Sequence, residues 1–138
     1  MSRFRYVVAD VFTDTALQGN QVAVFTDARE IPEDRLQAIA REMNLSETVF
    51  VYKPEGEGHA RIRIFTPMIE MPFAGHPTLG TAFILSGPLQ ADEIRLETGM
   101  GVVPVRLERD DSGRIAAALT GGPEPPFPAG GLFVVELE

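Results

Sequence analysis

Residues 78–86 constrain the fold most, because this segment is apolar on nearly every side of a helix. Its large and small apolar side chains are Leu79, Ala82, Phe83, Ile84 and Leu85. A helix without a polar face belongs in the interior of a protein. Gly87 and Pro88 follow and are predicted to end the helix. Residues 67–77 precede it, and their proline and glycine content predicts a loop. Other elements must therefore wrap a buried central helix.

Short runs of β-branched and aromatic residues supply those elements. Strands are predicted at residues 4–12, 22–25, 47–52, 60–65, 93–98, 102–109, 114–119 and 132–138. Glycine, proline, aspartate and serine mark the turns between several of them. The predicted fold class is α+β, with a mixed and mostly antiparallel sheet wrapped around the buried helix.

A second helix is predicted on the surface. Its apolar residues Leu36, Ile39, Ala40 and Met43 fall at i, i+3, i+4 and i+7. Pro32 suits the first helical position, with two acidic residues behind it, and the helix is expected to end near Asn44.

Residues 121–131 are too rich in glycine and proline for a helix or a central strand. We therefore expect residues 1–120 to form one unit, and residues 121–138 to be a linker followed by a terminal strand. No second domain and no internal repeat are expected.

Composition excludes several functional classes. The formal net charge is −8, so nucleic acid and anionic membrane surfaces are not expected as partners. The chain has no cysteine, which excludes disulfides, thiolate metal sites and thiol acid/base pairs. The start of the chain lacks the apolar core of a signal peptide, and the apolar stretches are too short to span a bilayer. A cytoplasmic protein is expected.

The loop at residues 73–78 is the first candidate site. Free backbone N–H groups at a helix start, with the positive end of the helix dipole behind them, suit a substrate carboxylate. Gly75 would let a ligand approach the backbone, and Pro77 fits an early helical position. A simple capped helix start explains the same residues equally well.

Glu47 is the second candidate, at the entry to a strand expected to be largely buried. Desolvation favours the neutral form of such a carboxyl, which suits a group that must both take and give a proton. A solvated glutamate at a strand end is the alternative, and position alone favours it.

The two histidines do not indicate a metal site. His76 is compatible with a general acid, a substrate hydrogen bonder or a structural cap. His59 is expected at the surface, in a hairpin turn. Without cysteine, no cluster of familiar metal-ligand spacing is present. Residues 99–104 begin like a dinucleotide fingerprint, but strand residues follow where a helix must begin, so a hairpin turn is expected.

Three motifs together resemble those of the phenazine-biosynthesis PhzF-like family. They are Asn-Leu-Ser-Glu-Thr-Val-Phe-Val at 44–51, Arg-Ile-Phe-Thr-Pro at 63–67, and Glu-Met-Pro-Phe-Ala-Gly-His-Pro-Thr-Leu-Gly at 70–80. The opening, through Gly-Asn-Gln-Val-Ala-Val-Phe at 19–25, is similar to that family's first hairpin. The resemblance runs from near residue 4 to about residue 126. Gln21 departs from it, because the family usually has proline after Gly-Asn.

The resemblance implies one half of a diaminopimelate epimerase-like fold, in which two halves each wrap a sheet around a central helix and substrate binds between them. It implies that Glu47 is the proton-shuttling residue and that Gly75 and His76 hold the substrate. Asn20, Ser46 and Thr78 lie in the same motifs and are added as substrate-binding candidates. No cofactor and no metal are implied.

The resulting hypothesis is a cofactor-independent isomerase half, which shifts a proton on a small carboxylated substrate. The family's second half is missing, so a homodimer or a separately encoded partner is expected to complete the cleft. The alternative is a non-catalytic truncated paralogue that serves as a binding or assembly module. A neighbouring reading frame that encodes the missing half would favour the enzyme.

Overall fold

Nine strands and two α-helices lie in the residues that the computed structural model describes, which are 3–11, 19–109, 115–119 and 133–136. The strands are β1 (Tyr6–Val11), β2 (Asn20–Phe25), β3 (Glu47–Tyr52), β4 (Ala60–Phe65), β5 (Glu70–Met71), β6 (Glu93–Thr98), β7 (Gly101–Arg109), β8 (Ile115–Leu119) and β9 (Phe133–Glu136). The helices are α1 (Leu36–Met43), which follows a 3₁₀ turn (Glu33–Arg35), and α2 (Gly75–Leu89).

The strands form one mixed sheet. Their order is β8-β7-β6-β4-β3-β2-β1-β9, and β5 pairs with β4 beside this path. The pairs β2–β3 and β4–β6 are parallel, and the other pairs are antiparallel. Helix α2 packs against β1 and β2 as well as against β6, β7 and β8. The sheet therefore curls around α2, which confirms the predicted α+β class and the buried central helix.

Helix α2 extends beyond the predicted residues 78–86 at both ends. It begins at Gly75 and ends at Leu89, where Gln90 adopts a left-handed conformation with φ of 50°. The prediction that Gly87 and Pro88 end the helix is wrong. Pro88 lies in the last turn, where its missing N–H removes a single intrahelical hydrogen bond.

The two faces of the sheet carry separate cores. The face toward α2 buries aliphatic side chains from β1 to β7, together with Leu79 and Ala82 of the helix. Gly80 brings α2 directly onto β1 and β2, because a Cβ there would lie 2.8 Å from Val22 Cγ1 and 3.1 Å from Val11 Cγ2.

Helix α1 covers the opposite face. It buries Leu36 and Ala40 against Phe25, Phe50 and Phe65. Its amphipathic spacing and its end at Asn44, which has φ of 55°, agree with the predicted surface helix. Pro32 lies just before the 3₁₀ turn rather than inside a helix.

The predicted strands at 47–52, 60–65 and 93–98 coincide with β3, β4 and β6. The predicted terminal strand is represented by β9, which pairs antiparallel with β1. The predicted linker at 121–131 lies outside the described residues. In the part of the chain that is described, no helix has the length and hydrophobicity needed to cross a membrane.

Candidate active site

Glu47 and His76 come together where β3 and α2 both begin. Glu47 is the first residue of β3, and His76 is the second residue of α2. Residues that alternate along a strand share one face, and Val49 and Val51 pack in the core under α2. Glu47 therefore projects to the helix side of the sheet. Residues 29 positions apart in sequence meet because the central helix starts beside this strand.

The Glu47 carboxyl is largely withdrawn from solvent and faces the imidazole. Its Oε2 lies 3.1 Å from His76 Nδ1, and the two side chains are 18% and 8% exposed. Oε2 is buried, and among the described residues it has no aligned hydrogen-bond donor, so the pair is at ion-pair distance without hydrogen-bond geometry. This burial does not fit the alternative of a solvated glutamate at a strand end.

A second contact indicates where the imidazole carries its proton. His76 Nε2 lies 3.3 Å from the backbone carbonyl oxygen of Gln21. A carbonyl oxygen only accepts hydrogen bonds, so Nε2 must be the donor. In a neutral ring, Nδ1 is then unprotonated and faces Glu47 Oε2.

Gly75, the residue before His76, leaves space at the helix start. Among the described residues, a Cβ built at Gly75 would meet no atom within 4 Å. Gly75 is the first residue of α2, and its neighbour Ala74 makes no side-chain cap to the helix. The first backbone N–H groups of a helix have no intrahelical acceptor. A small anion can therefore approach the helix start at Gly75 without displacing a side chain.

The remaining candidates divide into a rim and a buried turn. Asn20 and Ser46 are exposed, and Ser46 Oγ lies 3.4 Å from Asn20 Oδ1. Thr78 is completely buried, and its hydroxyl donates a 2.7 Å hydrogen bond to the carbonyl oxygen of Ala74. Asn20 and Ser46 thus lie near the edge of the site, whereas the Thr78 hydroxyl is used inside the first turn of α2.

Sequence reasoning missed two polar features near the site. The contact between His76 and Gln21 is made by a backbone carbonyl, so no residue type in the sequence indicates it. Asp10 is 1% exposed in the middle of β1, and it pairs with Gln21 in the β1–β2 ladder. An aspartate inside the run Val-Val-Ala-Asp-Val was the available signal for a buried polar group.

The segment that leads into the site is braced from two sides. Arg63 on β4 binds both carboxylate oxygens of Glu70, each at 2.8 Å, and also binds Glu33 before α1. These hydrogen bonds raise the pKa of Arg63 and lower that of Glu33. Gly99 contacts Pro72 so closely that a Cβ would lie 3.0 Å from Pro72 Cα.

Residues outside this site do not form a metal centre. Within the described ranges, no group of three or more His, Asp or Glu side chains is placed to hold a metal ion. His59 does not belong to the pair formed by Glu47 and His76. Its Nδ1 accepts a 2.8 Å hydrogen bond from the backbone N–H of Arg95. It is partly buried and lies in the predicted turn between β3 and β4. Gly99 and Met100 form the β6–β7 turn, as the hairpin interpretation predicted.

The family model described as phenazine biosynthesis-like protein matches residues 9–131. Among curated relatives, trans-2,3-dihydro-3-hydroxyanthranilate isomerases from Pseudomonas aeruginosa and Pseudomonas fluorescens are 54% and 52% identical over 115 and 114 residues. Each match covers 83% of this chain but 41% of the relative. The chain therefore spans about two fifths of the length of these proteins.

Solved structures agree on the fold. A Bacillus anthracis phenazine biosynthesis protein of the PhzF family matches with a TM-score of 0.76 at 29% identity, over 86% of this chain and 40% of that chain. A predicted epimerase from Pseudomonas aeruginosa matches with a TM-score of 0.75 at 36% identity, over 85% of this chain and 42% of that chain. A hydroxyproline epimerase from Agrobacterium vitis, at 16% identity and a TM-score of 0.55, shares the fold.

Proposed function

This chain belongs to the phenazine biosynthesis-like protein family, and from that membership we propose that it forms one half of a cofactor-independent isomerase. The observation that carries the proposal is the pair formed by Glu47 and His76. A buried carboxylate oxygen with no aligned donor, 3.1 Å from an imidazole nitrogen, is poised to take and return a proton. The open space at Gly75, the residue before His76, supports a ligand bound near this pair.

In this proposal, Glu47 removes a proton from one carbon of the substrate and returns it to another carbon. One C–H bond breaks and one forms, so the reaction needs no oxidant and no reductant. His76 keeps a proton close to Glu47 and contacts the substrate. Its hydrogen bond to Gln21 holds the ring in one orientation.

A small substrate with a carboxylate fits the helix start. The N–H groups at Gly75 and His76 and the positive end of the α2 dipole attract an anion. Asn20 and Ser46 are proposed to contact the substrate at the rim. Thr78 is proposed to contribute through the first turn of the helix, since its hydroxyl is already bonded to Ala74. The substrate used by the Pseudomonas relatives, trans-2,3-dihydro-3-hydroxyanthranilate, is the first compound to test.

The chain spans about two fifths of its relatives' length, and we propose that a second copy of it supplies the second wall of the cleft, with a separately encoded half or a continuation of the same polypeptide as the other sources. The turn before β5 is a suitable contact surface. Met68 and Ile69 are 88% and 60% exposed, yet Thr66 Oγ1 accepts hydrogen bonds from both of their backbone N–H groups. A rigid turn that presents apolar side chains to water is typical of a surface that becomes covered. We propose that this assembly is cytoplasmic, in agreement with its acidic, cysteine-free composition.

Exchange of substrate hydrogen with solvent tests the role of Glu47. The assembled protein is incubated with trans-2,3-dihydro-3-hydroxyanthranilate in deuterated water, and deuterium uptake is followed by mass spectrometry. Glu47→Gln is expected to reduce uptake by about a thousandfold or more, because the amide cannot act as a base. Glu93→Gln, at an exposed position on β6, is the matched control and should behave like the wild type. Uptake that survives Glu47→Gln would end this assignment.

The same exposed turn also favours a second candidate, a truncated paralogue that acts as a binding or assembly module. Such a module would associate through Met68 and Ile69 without using Glu47. Association that is undisturbed by Glu47→Gln, together with no deuterium uptake by the wild type, would favour the module over the enzyme.

A further inference from the structure

Along the main strand order of the described sheet, the shortest pairing is the seam between β4 and β6. These strands pair at Ala60–Leu96 and Arg61–Glu97. By contrast, β6 pairs with β7 along its whole length, from Glu93 to Thr98. A short parallel contact thus joins the β6–β7–β8 part of the sheet to the β1–β4 part. Contacts that reinforce this seam therefore act together with α2, which packs against both parts.

His59 and Arg95 continue the hydrogen bonding between the two strands. Here a side-chain nitrogen of His59 takes the place of a backbone hydrogen-bond acceptor. The backbone N–H of His59 donates to the carbonyl oxygen of Arg95 at 2.7 Å. The backbone N–H of Arg95 donates in return to His59 Nδ1 at 2.8 Å. Nδ1 can accept only while it is unprotonated, because an imidazolium ring has two donors and no acceptor.

Glu97 reinforces the same seam from β6. Its carboxylate accepts hydrogen bonds from the backbone N–H groups of Glu55, Gly56 and Gly58 at 2.7, 2.9 and 2.8 Å. The bond from Glu55 is the main cause of a lowered pKa for Glu97. A Cβ at Gly58 would lie 2.6 Å from Glu97 Cγ, so glycine is required for this close contact.

We propose that the seam between β4 and β6 is an acid-sensitive joint, which His59 closes when its imidazole is neutral and loosens when the ring is protonated. Protonation turns Nδ1 from an acceptor into a donor that faces the Arg95 N–H. The His59 end of the seam then opens first, while Glu97 still holds the turn at residues 55–58.

Charged groups surround His59 on several sides. Asp27, Arg29 and Lys53 line a cavity of about 340 Å³ that His59 also lines. Asp27 and Arg29 neutralise each other through a 2.7 Å ion pair. On the strand and turn side lie Arg95 and Glu97 of β6, together with Glu57, whose backbone oxygen accepts from Arg95 Nε at 3.3 Å. Helix α2 contributes Leu85, Pro88 and Leu89, none of which is charged.

The joint is connected to the candidate active site through the other end of β6. Thr98 ends the strand, and Gly99 packs against Pro72. Pro72 begins the short segment that leads to Gly75 and His76. A shift of β6 would therefore also move the segment that precedes α2. The acid-sensitive joint itself does not depend on the proposed isomerase function.

Amide hydrogen exchange of the whole chain tests the joint. Protection of the Arg95 amide, corrected for the intrinsic pH dependence of exchange, is measured by NMR at about pH 7.5 and about pH 5.5, on either side of the usual imidazole range. Wild-type protection should fall about fivefold to tenfold on acidification, which corresponds to the loss of one hydrogen bond. Nitrogen chemical shifts should show His59 protonated on Nε2 alone at the higher pH.

Two variants identify the responsible histidine. His59→Asn places Oδ1 where Nδ1 lies and cannot be protonated in this range, so the Arg95 amide should stay protected at both pH values. His76→Asn removes the chain's other histidine and should keep the wild-type response. A response that persists in His59→Asn, or that disappears in His76→Asn, would overturn the proposal. So would a His59 ring protonated on Nδ1 at the higher pH, which the wild type alone can reveal.

Discussion

At the scale of single residues, two glycines of α2 serve opposite purposes. Gly80 faces the sheet, where a Cβ would lie 2.8 Å from a methyl group of Val22. Gly75 faces open space, where a Cβ would meet nothing within 4 Å. The first glycine lets the helix approach the strands, and the second keeps the helix start accessible. Adding a methyl group therefore tests packing at Gly80 and access to the helix start at Gly75.

Gly80→Ala should lower the free energy of unfolding by about 1–3 kcal/mol, because the added methyl overpacks the contact with β1 and β2. Gly75→Ala should leave it unchanged or raise it by up to about 1 kcal/mol, since alanine favours a helix. Urea denaturation measures both values. In the assembled protein, Gly75→Ala should also reduce deuterium uptake, because the methyl occupies the proposed ligand space. Equal stability losses in the two variants would contradict this division.

The sequence identified the main chemical groups of the site, but not how they are arranged. Glu47 could be singled out as a carboxyl at the entry to a buried strand. Its neighbour His76 could not be paired with it from spacing, because the contact depends on where α2 meets β3. The contact of His76 with the Gln21 carbonyl could not be predicted either, because every residue has a backbone carbonyl group.

At the scale of elements, Arg63 ties three pieces of structure together. It connects β4 to β5 through both oxygens of Glu70, and to the turn before α1 through Glu33. Its side chain is 20% exposed, whereas Arg29 and Asp27 form a pair that is more than half exposed. The bidentate hydrogen bonding of the Arg63 guanidinium is therefore expected to contribute more to stability than its positive charge alone.

Arg63→Lys should lower the free energy of unfolding by about 1 kcal/mol, because an ammonium group cannot bind both oxygens of Glu70 and also reach Glu33. Arg29→Lys is the matched control at the exposed pair, where no measurable change is expected. Denaturation in urea at neutral pH compares the two. If both substitutions had the same effect, the brace at Arg63 would have no special role.

The boundaries of the elements were predictable where turn residues flank a clear alternation, as at β3, β4 and β6. Helix α2 was predicted too short because Pro88 and Gly75 suggested loop at its two ends. Gly75 is tolerated because the N–H groups of the first turn have no intrahelical partner in any case, and Pro88 is tolerated because only one intrahelical hydrogen bond is lost in the last turn.

At the scale of the whole molecule, the seam between β4 and β6 sets how the sheet responds to acid. The folded-state pKa of Glu97 is lowered, mainly by the hydrogen bond from the Glu55 N–H. A lowered pKa contributes stability that is fully present above the unfolded value, near about 4.3, and is lost as the pH falls through the folded value. Acid should therefore weaken the seam through Glu97 in this lower range.

Glu97→Gln should be less stable than the wild type at about pH 6, and the difference should shrink as the pH falls to about 3, where the wild-type carboxyl is protonated as well. Thermal unfolding across this range measures the difference. Glu93→Gln, on the same strand, should show no such convergence. A difference for Glu97→Gln that stays constant with pH would mean that the charge of the carboxylate does not hold the turn.

The global arrangement was the least predictable from composition and periodicity. Strand order depends on the parallel pairs β2–β3 and β4–β6, which no turn motif specifies. The buried helix was predicted from its own apolar pattern, whereas the incomplete cleft was inferred from the resemblance to a known family. The central claim is that this chain forms only one wall of the substrate cleft, so that a second unit is needed to complete the site.

The solution mass of the purified chain, measured by light scattering across a dilution series, tests this claim most directly. The account predicts a stable dimer that covers the turn at Met68 and Ile69, and a shift toward monomer in the double variant Met68→Gln/Ile69→Thr. A wild-type chain that remains monomeric at every concentration would contradict completion of the site by a second copy.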